Sequence, residues 1–229
     1  MIVREAGLIF QIEYDNVANL IKVDSVTGDE LIIPAYVNGL QVKKIGKRAF
    51  FGNANLVNIG IPASVTFIDE EAFALCRALR SVKFYTTSVV SSFCELGQKA
   101  FKDCYCLESI YFPNKIILKG GSVFENCWKL CDIKGKFNSL LSLTFAECHS
   151  LKELVFFGKS FISYSAFKNC KSLYKLTFTG TLSEKISQYT LQYLQQLRIA
   201  CYPDSEFVDW VYIGVNVEII SPPNESPLP

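Results

Sequence analysis

The chain has 229 residues, half of them hydrophobic, with 18 phenylalanines and 11 tyrosines, so it has enough apolar side chains for a long core. Its 23 lysines and arginines nearly balance 22 aspartates and glutamates. This balance excludes a general electrostatic attraction to nucleic acid or anionic lipid, and we expect no nucleic-acid partner. No apolar stretch approaches the ~18 uninterrupted residues that a transmembrane helix needs, so we expect no membrane span.

Residues 1–44 predict a β-hairpin that caps the start of the chain. Apolar and polar residues alternate over 8–14, a turn is expected near Asp15 and Asn16, and a second strand is expected over 20–23. A further turn at 27–29 leads into the apolar residues 31–33. The first residues lack the charged, apolar and cleavage-site order of a signal peptide, which favours an intracellular location for the chain as given.

Residues 45–200 carry a tandem repeat of the form A-F-x-x-C-x-x-L-x-x-I-x-F. The pattern contains two phenylalanines, and the first of them lies 23, 28, 23, 21 and 22 residues before the first one of the next unit. The six clear copies place this residue at Phe50, Phe73, Phe101, Phe124, Phe145 and Phe167. A degenerate seventh copy continues the pattern at Leu194, Leu197 and Ile199. Such agreement indicates a solenoid, because one short unit cannot bury its own apolar side chains and must stack on its neighbours.

The pattern within the unit predicts where its strand and its turn lie. The alternating end of L-x-x-I-x-F is typical of a short strand, so stacked units are expected to pair their strands into a parallel sheet. A second segment, such as 65–68 or 161–162, is expected on the opposite wall. The A-F-x-x-C segment is expected to be a tight helical or 3₁₀ turn between the walls. In the fourth copy, Gly135 takes the place of the last Phe.

The repeats resemble a known family. Residues 45–62 follow the pattern I-G-x-x-A-F-x-x-x-x-x-L-x-x-I-x-I-P, and residues 96–113 follow the same line with its Cys. This pattern, with the lead-in at 31–42, resembles the BspA-like leucine-rich repeat over roughly residues 30–220. The chain departs from it by an insertion at 86–95 and by glycines where proline is usual, at Gly135, Gly158 and Gly180. The resemblance implies a leucine-rich-repeat solenoid and relatives among surface, secreted and adhesion proteins, including surface antigens.

Two columns of side chains are expected on the outer side of the sheet. Ten positions after each first Phe, the column contains Gly60, Lys83, Tyr111, Lys134, Val155, Thr177 and, from the degenerate copy, Arg198. Eight positions after it, the column contains Asn58, Ser81, Ser109, Asp132, Glu153, Lys175 and Gln196. Extended surfaces of this kind are what repeat proteins use for partners.

These columns predict a non-catalytic scaffold that recognises a protein or a glycan through the sheet face, in the manner of an adhesion protein. The cations of the first column favour an acidic or glycan partner. One alternative is that the columns are simply solvated. Another is a structural component that assembles through the solenoid ends or the sheet face, although a monomer is favoured.

Five of the nine cysteines occupy one repeat column, at Cys76, Cys104, Cys127, Cys148 and Cys170. A buried thiol behaves as a small apolar side chain, so a ladder of buried thiols is expected rather than disulfides or a metal site. The metal alternatives are Cys104 with Cys106, Cys127 with Cys131, and Cys148 with His149. No metal or other cofactor is expected.

The sequence does not predict an enzyme. Its one histidine, His149, follows Cys148, and neighbouring side chains in a turn tend to point apart instead of converging as a catalytic dyad. No catalytic residue is therefore assigned.

The end of the chain predicts a small α/β cap over 201–221. A helix is expected over 202–210, with Asp204 or Ser205 as its N-cap, followed by a strand over 215–220. The proline-rich tail, 222–229, is expected to be disordered or extended.

Overall fold

A computed structural model describes residues 1–13, 16–24, 29–85, 93–180, 190, 194, 197–201 and 216–219 of the chain. Its strands form one 16-stranded sheet that winds as a β-solenoid, and the pairing between successive repeats is parallel. The predicted repeat solenoid of the leucine-rich-repeat type is therefore confirmed. The boundaries that the sequence suggests for the two caps stay predictions.

The N-terminal cap is an antiparallel meander of three strands: β1 (Ile2–Glu5), β2 (Leu8–Ile12) and β3 (Ala18–Val23). The predicted hairpin of β2 and β3 is confirmed, whereas β1 was not predicted from the sequence. A tight turn at Ala6 and Gly7, both with positive φ, joins β1 to β2. Strand β3 then pairs in parallel with β6 (Leu40–Ile45) of the solenoid, so the cap continues the sheet.

Two walls run along the solenoid. We call the wall with the L-x-x-I-x-F strands the front ladder; it begins with β4 (Glu30–Ile32), β7 (Asn58–Pro62) and β9 (Ser81–Tyr85). The back ladder begins with β3, β6 (Leu40–Ile45), β8 (Phe67–Ile68) and β10 (Phe93–Leu96). Strand β5 (Tyr36–Val37) forms a small hairpin with β6 through Asn38 and Gly39. The second wall that the sequence predicts at 65–68 is thus present as β8.

The two ladders meet in β11 (Ser109–Leu118), because its first residues pair with β9 and its last residues pair with β10. The next two strands, β12 (Asp132–Leu140) and β13 (Glu153–Ile162), likewise span both walls. The front ladder continues through β14 (Lys175–Thr179), β15 (Arg198–Cys201) and β16 (Asn216–Ile219). Strand β16 lies within the strand predicted at 215–220, while the predicted helix over 202–210 and the tail lie outside the described residues.

The core is organised around a column of stacked phenylalanine rings. Each ring of the column is at most 2% exposed. Adjacent ring centroids lie 4.7, 5.0, 5.5, 5.1 and 6.3 Å apart along Phe50, Phe73, Phe101, Phe124, Phe145 and Phe167. Neighbouring strands in a sheet are about 4.8 Å apart, so equivalent rings of successive units meet at a stacking distance.

The A-F-x-x-C segments are tight turns and not helices. In the first copy, the amides of Ala49 and Phe51 donate to carbonyls three residues earlier, as in a 3₁₀ turn, whereas those of Phe50 and Gly52 donate to the next unit. Positive φ recurs two residues before and after the first Phe, as at Arg48 and Gly52, and prevents helical continuation. Among the described residues, no helix has the length and apolar character needed to cross a membrane.

The regular register breaks between β11 and β13. A bulge follows Tyr111 in β11, and Phe137 of β12 pairs with Phe156 of β13. The prediction that Gly135 occupies the last Phe column beside Phe156 is therefore wrong, because Phe137, which is fully buried, takes that place. A side chain at Gly135 is disfavoured, because the φ of +139° there is one that residues with a Cβ rarely adopt, and the Cβ would also lie 2.6 Å from the Cδ1 atom of Ile116.

We expect Phe101→Ala to lower the free energy of unfolding by about 3–5 kcal/mol, because it empties the middle of the ring stack. Phe51→Ala is the matched control, since this ring is 38% exposed, and it should cost less than about 1 kcal/mol. Urea titration followed by circular dichroism measures both. Equal losses for the two variants would contradict the assignment of stability to the buried stack.

Candidate binding surface

The first half of the front ladder places the predicted outward residues in register. Ser81 pairs with Ser109 and Ser109 with Asp132, while Lys83 pairs with Tyr111 and Tyr111 with Lys134. Between these positions, Val82 and Ile110 are fully buried. Because side chains alternate along a strand, the two predicted columns lie side by side on the outer face over these three strands.

Asp132 joins the two columns. The Tyr111 hydroxyl donates to its Oδ2 atom at 2.5 Å, and the Lys134 ammonium lies 3.2 Å from its Oδ1 atom. The hydrogen bond with Tyr111 lowers the pKa of Asp132 and raises that of Tyr111, and the carboxylate raises the pKa of Lys134. The positive charge of Lys134 is thus partly neutralised, so the cations predicted along the first column do not form an uninterrupted basic stripe.

Beyond β12 the predicted columns need correction. Lys136 of β12, not Lys134, pairs with Val155 of β13. Arg198 was predicted to continue the column of Thr177, but it pairs with Lys175, and Ala200 pairs with Thr177. The cause is the shift in register between β12 and β13, together with a last unit whose spacing departs from the repeat.

The corrected outer face of β13 to β15 has two rows. One contains Glu153, Lys175 and Arg198, and the other contains Val155 and Thr177, followed by Ala200, which is only 1% exposed. Asp132 and, to a smaller extent, Glu153 raise the pKa of Lys134. The face therefore mixes acidic and basic side chains instead of being uniformly basic.

The register shift opens a groove that the sequence did not predict. It has a volume of about 400 Å³ and is lined by Phe112, Pro113, Lys115, Gly135, Lys136 and Val155. The Lys115 ammonium lies 5.0 Å from the centroid of the Phe157 ring, so this lysine leans across the groove toward β13. The one signal in the sequence was the glycine at position 135, where the other copies have an apolar side chain.

The cysteine column is a ladder of hydrogen bonds as well as a packing element. Each thiol donates to the carbonyl oxygen of the first Phe of the preceding unit, at 3.0 to 3.2 Å, for Cys76, Cys104, Cys127, Cys148 and Cys170. All five are buried and free of disulfides. Burial raises the pKa of Cys76 to about 12 and raises the pKa values of the other four thiols.

Among the described residues, the structure does not bring together the side chains that a Cys–His dyad or a metal site would need. The Cys148 thiol donates to Phe124, whereas the imidazole of His149 approaches the carbonyl of Asn169 at 3.1 Å and the carboxylate of Glu147 at 3.7 Å. The two side chains thus have separate partners. Within the described part of the chain, no group of three or more potential metal ligands comes together.

Comparison with known sequences identifies the repeat. The sequence model of the BspA type leucine-rich repeat region matches six copies of its unit, over residues 36–134 and 83–198. These overlapping matches cover well over half of the chain. No protein with a curated description matches.

The solved structures that resemble the chain are bacterial leucine-rich-repeat proteins. The leucine-rich-repeat protein TpLRR of T. pallidum is 21% identical, with a TM-score of 0.62, over 96% of this chain and 99% of that one. A leucine-rich cell surface protein of Faecalibacterium prausnitzii is 16% identical, with a TM-score of 0.47, over 98% and 96% of the two chains. At such identities the first likeness supports the fold alone.

We expect stability to change little between about pH 7 and about pH 8 and to fall as the pH rises further. An unfolded thiol loses its proton near pH 8.5, whereas the buried thiols keep theirs, so each costs about 1.4 kcal/mol per pH unit above that value. This loss continues until the raised pKa of the folded thiol is reached, about 12 for Cys76. Urea midpoints from pH 7 to pH 10 measure the fall.

The control for this prediction is Cys76→Ala, which removes one buried thiol. Its stability should decline less steeply with pH than that of the unchanged chain, by about 1.4 kcal/mol per pH unit. Parallel curves for the two proteins would show that the thiol column does not set the alkaline limit.

Proposed function

The chain belongs to the BspA-type leucine-rich-repeat family, and we propose that it is a non-catalytic scaffold that binds a protein or glycan partner through the outer face of its front ladder. Such recognition is of the adhesion type, in which an extended surface holds a partner and no chemical step follows. Repeat solenoids commonly use their extended faces in this way.

The observation that carries this proposal is the contrast between the two sides of the same strands. The inward positions repeat Leu, Ile and Phe, whereas the outward positions differ in charge and size from strand to strand. The outer face combines four cations, Lys83, Lys134, Lys175 and Arg198, with two carboxylates, Asp132 and Glu153. A partner with exposed acidic groups complements this face, and Tyr111 offers an aromatic contact at its centre.

Charge reversal on the face tests the proposal. We expect Lys83→Glu combined with Lys175→Glu to weaken partner binding by about tenfold or more, because two attractive charges become repulsive. The immobilised protein and the double variant are incubated with extracts of the source organism and of host cells, and retained proteins and glycans are quantified.

The matched control is Lys159→Glu combined with Lys168→Glu, which makes the same change in net charge at exposed positions away from the front face. A partner should be retained by the unchanged protein and by this control and be lost from the face variant. Equal retention by all three proteins would rule out the face as the binding site.

A second candidate function is assembly through the N-terminal end of the solenoid. Ile32 on the edge strand β4 is 61% exposed, and Ile2 on β1 is 53% exposed. Open strand edges with apolar side chains are templates for pairing with another chain.

We expect the protein to remain monomeric in multi-angle light scattering over about a hundredfold range of concentration, because β4 and β1 are short strands. A mass that rises with concentration, and that returns to the monomer value in Ile32→Lys, would instead favour assembly through this end.

A further inference from the structure

A row of large side chains lies outside the sheet, on the turn that follows each repeat cysteine. It occupies the fourth position after the first Phe, one residue per unit over five successive units. We call it the edge column, and it contains Arg77, Tyr105, Trp128, His149 and Lys171. None of these residues lies on the front or back ladder, so the edge column is distinct from the outer face of the front ladder.

The first three members of the edge column are stacked on one another. The Arg77 guanidinium carbon lies 5.6 Å from the centroid of the Tyr105 ring. The rings of Tyr105 and Trp128 lie 4.4 Å apart between centroids, with an angle of 23° between their planes. Trp128 is nevertheless 46% exposed, so this stack stands in solvent, unlike the buried column of phenylalanines.

Packing does not account for the residue types in this stack. A buried ring gains from removal of its apolar surface from water, but a tryptophan that stays half exposed forgoes much of that gain. Tryptophan, tyrosine and arginine are also the residue types that most often dominate binding energy at protein interfaces. Their stacking holds the exposed side chains in one arrangement, which reduces the entropy lost when a partner binds.

The orientation of the rings indicates what they bind. One face of Trp128 is covered by Tyr105, and the guanidinium of Arg77 also lies against Tyr105. A sugar ring stacks on an open aromatic face, and Tyr105 occupies one of the two faces of Trp128. An aromatic edge carries partial positive charge and the indole N–H is a hydrogen-bond donor, so an exposed edge of such a stack attracts anionic oxygen atoms.

The charges around the edge column also favour an anionic partner. Two exposed lysines lie on the turns of these repeats, and among the described residues neither of them forms an ion pair: Lys129 and Lys171. The nearby carboxylates already have partners, since Glu108 lies 4.0 Å from Arg80, and Glu147 accepts a hydrogen bond from Asn169. Residues 126–180 contain eight lysines and three acidic residues, although the whole chain is nearly neutral.

We propose that the edge column, centred on Arg77, Tyr105 and Trp128, is a docking site for an acidic segment of a protein partner. The carboxylates of the segment contact the guanidinium, the indole N–H and the flanking lysines, and its apolar groups cover the exposed part of Trp128. The site is separate from the front face, so it stands or falls independently of the function proposed for that face.

Fluorescence of Trp128 reports on the site directly. The chain has two tryptophans, and Trp210→Phe leaves Trp128 as the single emitter. Titration of this protein with poly-L-glutamate should change the emission of Trp128 in a saturable way, and poly-L-lysine should not. No change with poly-L-glutamate, or an equal change with both polymers, would overturn the proposal.

Variants then locate the binding site, with affinity measured by the fluorescence anisotropy of labelled poly-L-glutamate. We expect Trp128→Ala, and separately Arg77→Gln with Lys129→Gln, to weaken binding by about tenfold. Trp128→Phe keeps a ring in the stack and loses the N–H donor, so its loss should be intermediate. Circular dichroism and urea midpoints close to those of the unchanged chain confirm that these exposed substitutions leave the fold intact.

Two comparisons separate this proposal from its alternatives. The variant Arg4→Gln with Lys22→Gln removes two cations from exposed positions of the N-terminal cap, and it should bind poly-L-glutamate within about twofold of the unchanged chain. If it loses affinity as much as Trp128→Ala does, binding reflects general charge and the proposal fails. Hyaluronate supplies carboxylates on a sugar chain, and displacement of poly-L-glutamate by hyaluronate at equal carboxylate concentration would overturn the assignment to a protein segment.

Discussion

The structure depends on hydrogen bonds that join each turn of the solenoid to the next at the same backbone positions. The amide of each of the first five repeat phenylalanines donates to the following unit, while its carbonyl accepts from the thiol of the following unit, as at Phe50, Ala72 and Cys76. These polar groups lie among buried rings, where an unpaired carbonyl or amide costs about 1–3 kcal/mol. A cysteine therefore suits this column, because it is small, largely apolar and still a donor.

This bonding fixes the spacing of the units and thereby the stacking of the rings. Equivalent side chains meet at roughly the distance between strands, so one residue type repeated at one position forms a continuous stack. The inward positions are constrained by this repetition, and the turns are constrained by the residues with positive φ that lie two positions before and two positions after the repeat Phe. Only the outward positions of the strands and the tips of the turns vary freely, and both surfaces considered for binding lie there.

Much of the fold was predictable because periodicity reports directly on stacking. The phenylalanine and cysteine columns, the parallel front ladder and the β2–β3 hairpin all follow from spacing alone. The register across β12 did not, because it depends on a bulge after Tyr111 and on a glycine with positive φ at position 135. A count of positions after Phe cannot detect this change of register, so Val155 was placed beside Lys134 instead of Lys136. The irregular spacing of the last unit likewise led to the wrong placement of Arg198 beside Thr177.

The edge column was missed for a different reason. A search for repetition discards positions that differ from copy to copy, and the fourth position after Phe holds a different residue in each unit. Arg77, Tyr105 and Trp128 become related only when the turns are stacked and their side chains meet. In a solenoid, the agreement between copies specifies the scaffold, and the differences between copies give each protein its own surface. Recognition is therefore to be sought where the copies differ, which in this chain means the outer face of the front ladder and the stacked edge around Trp128.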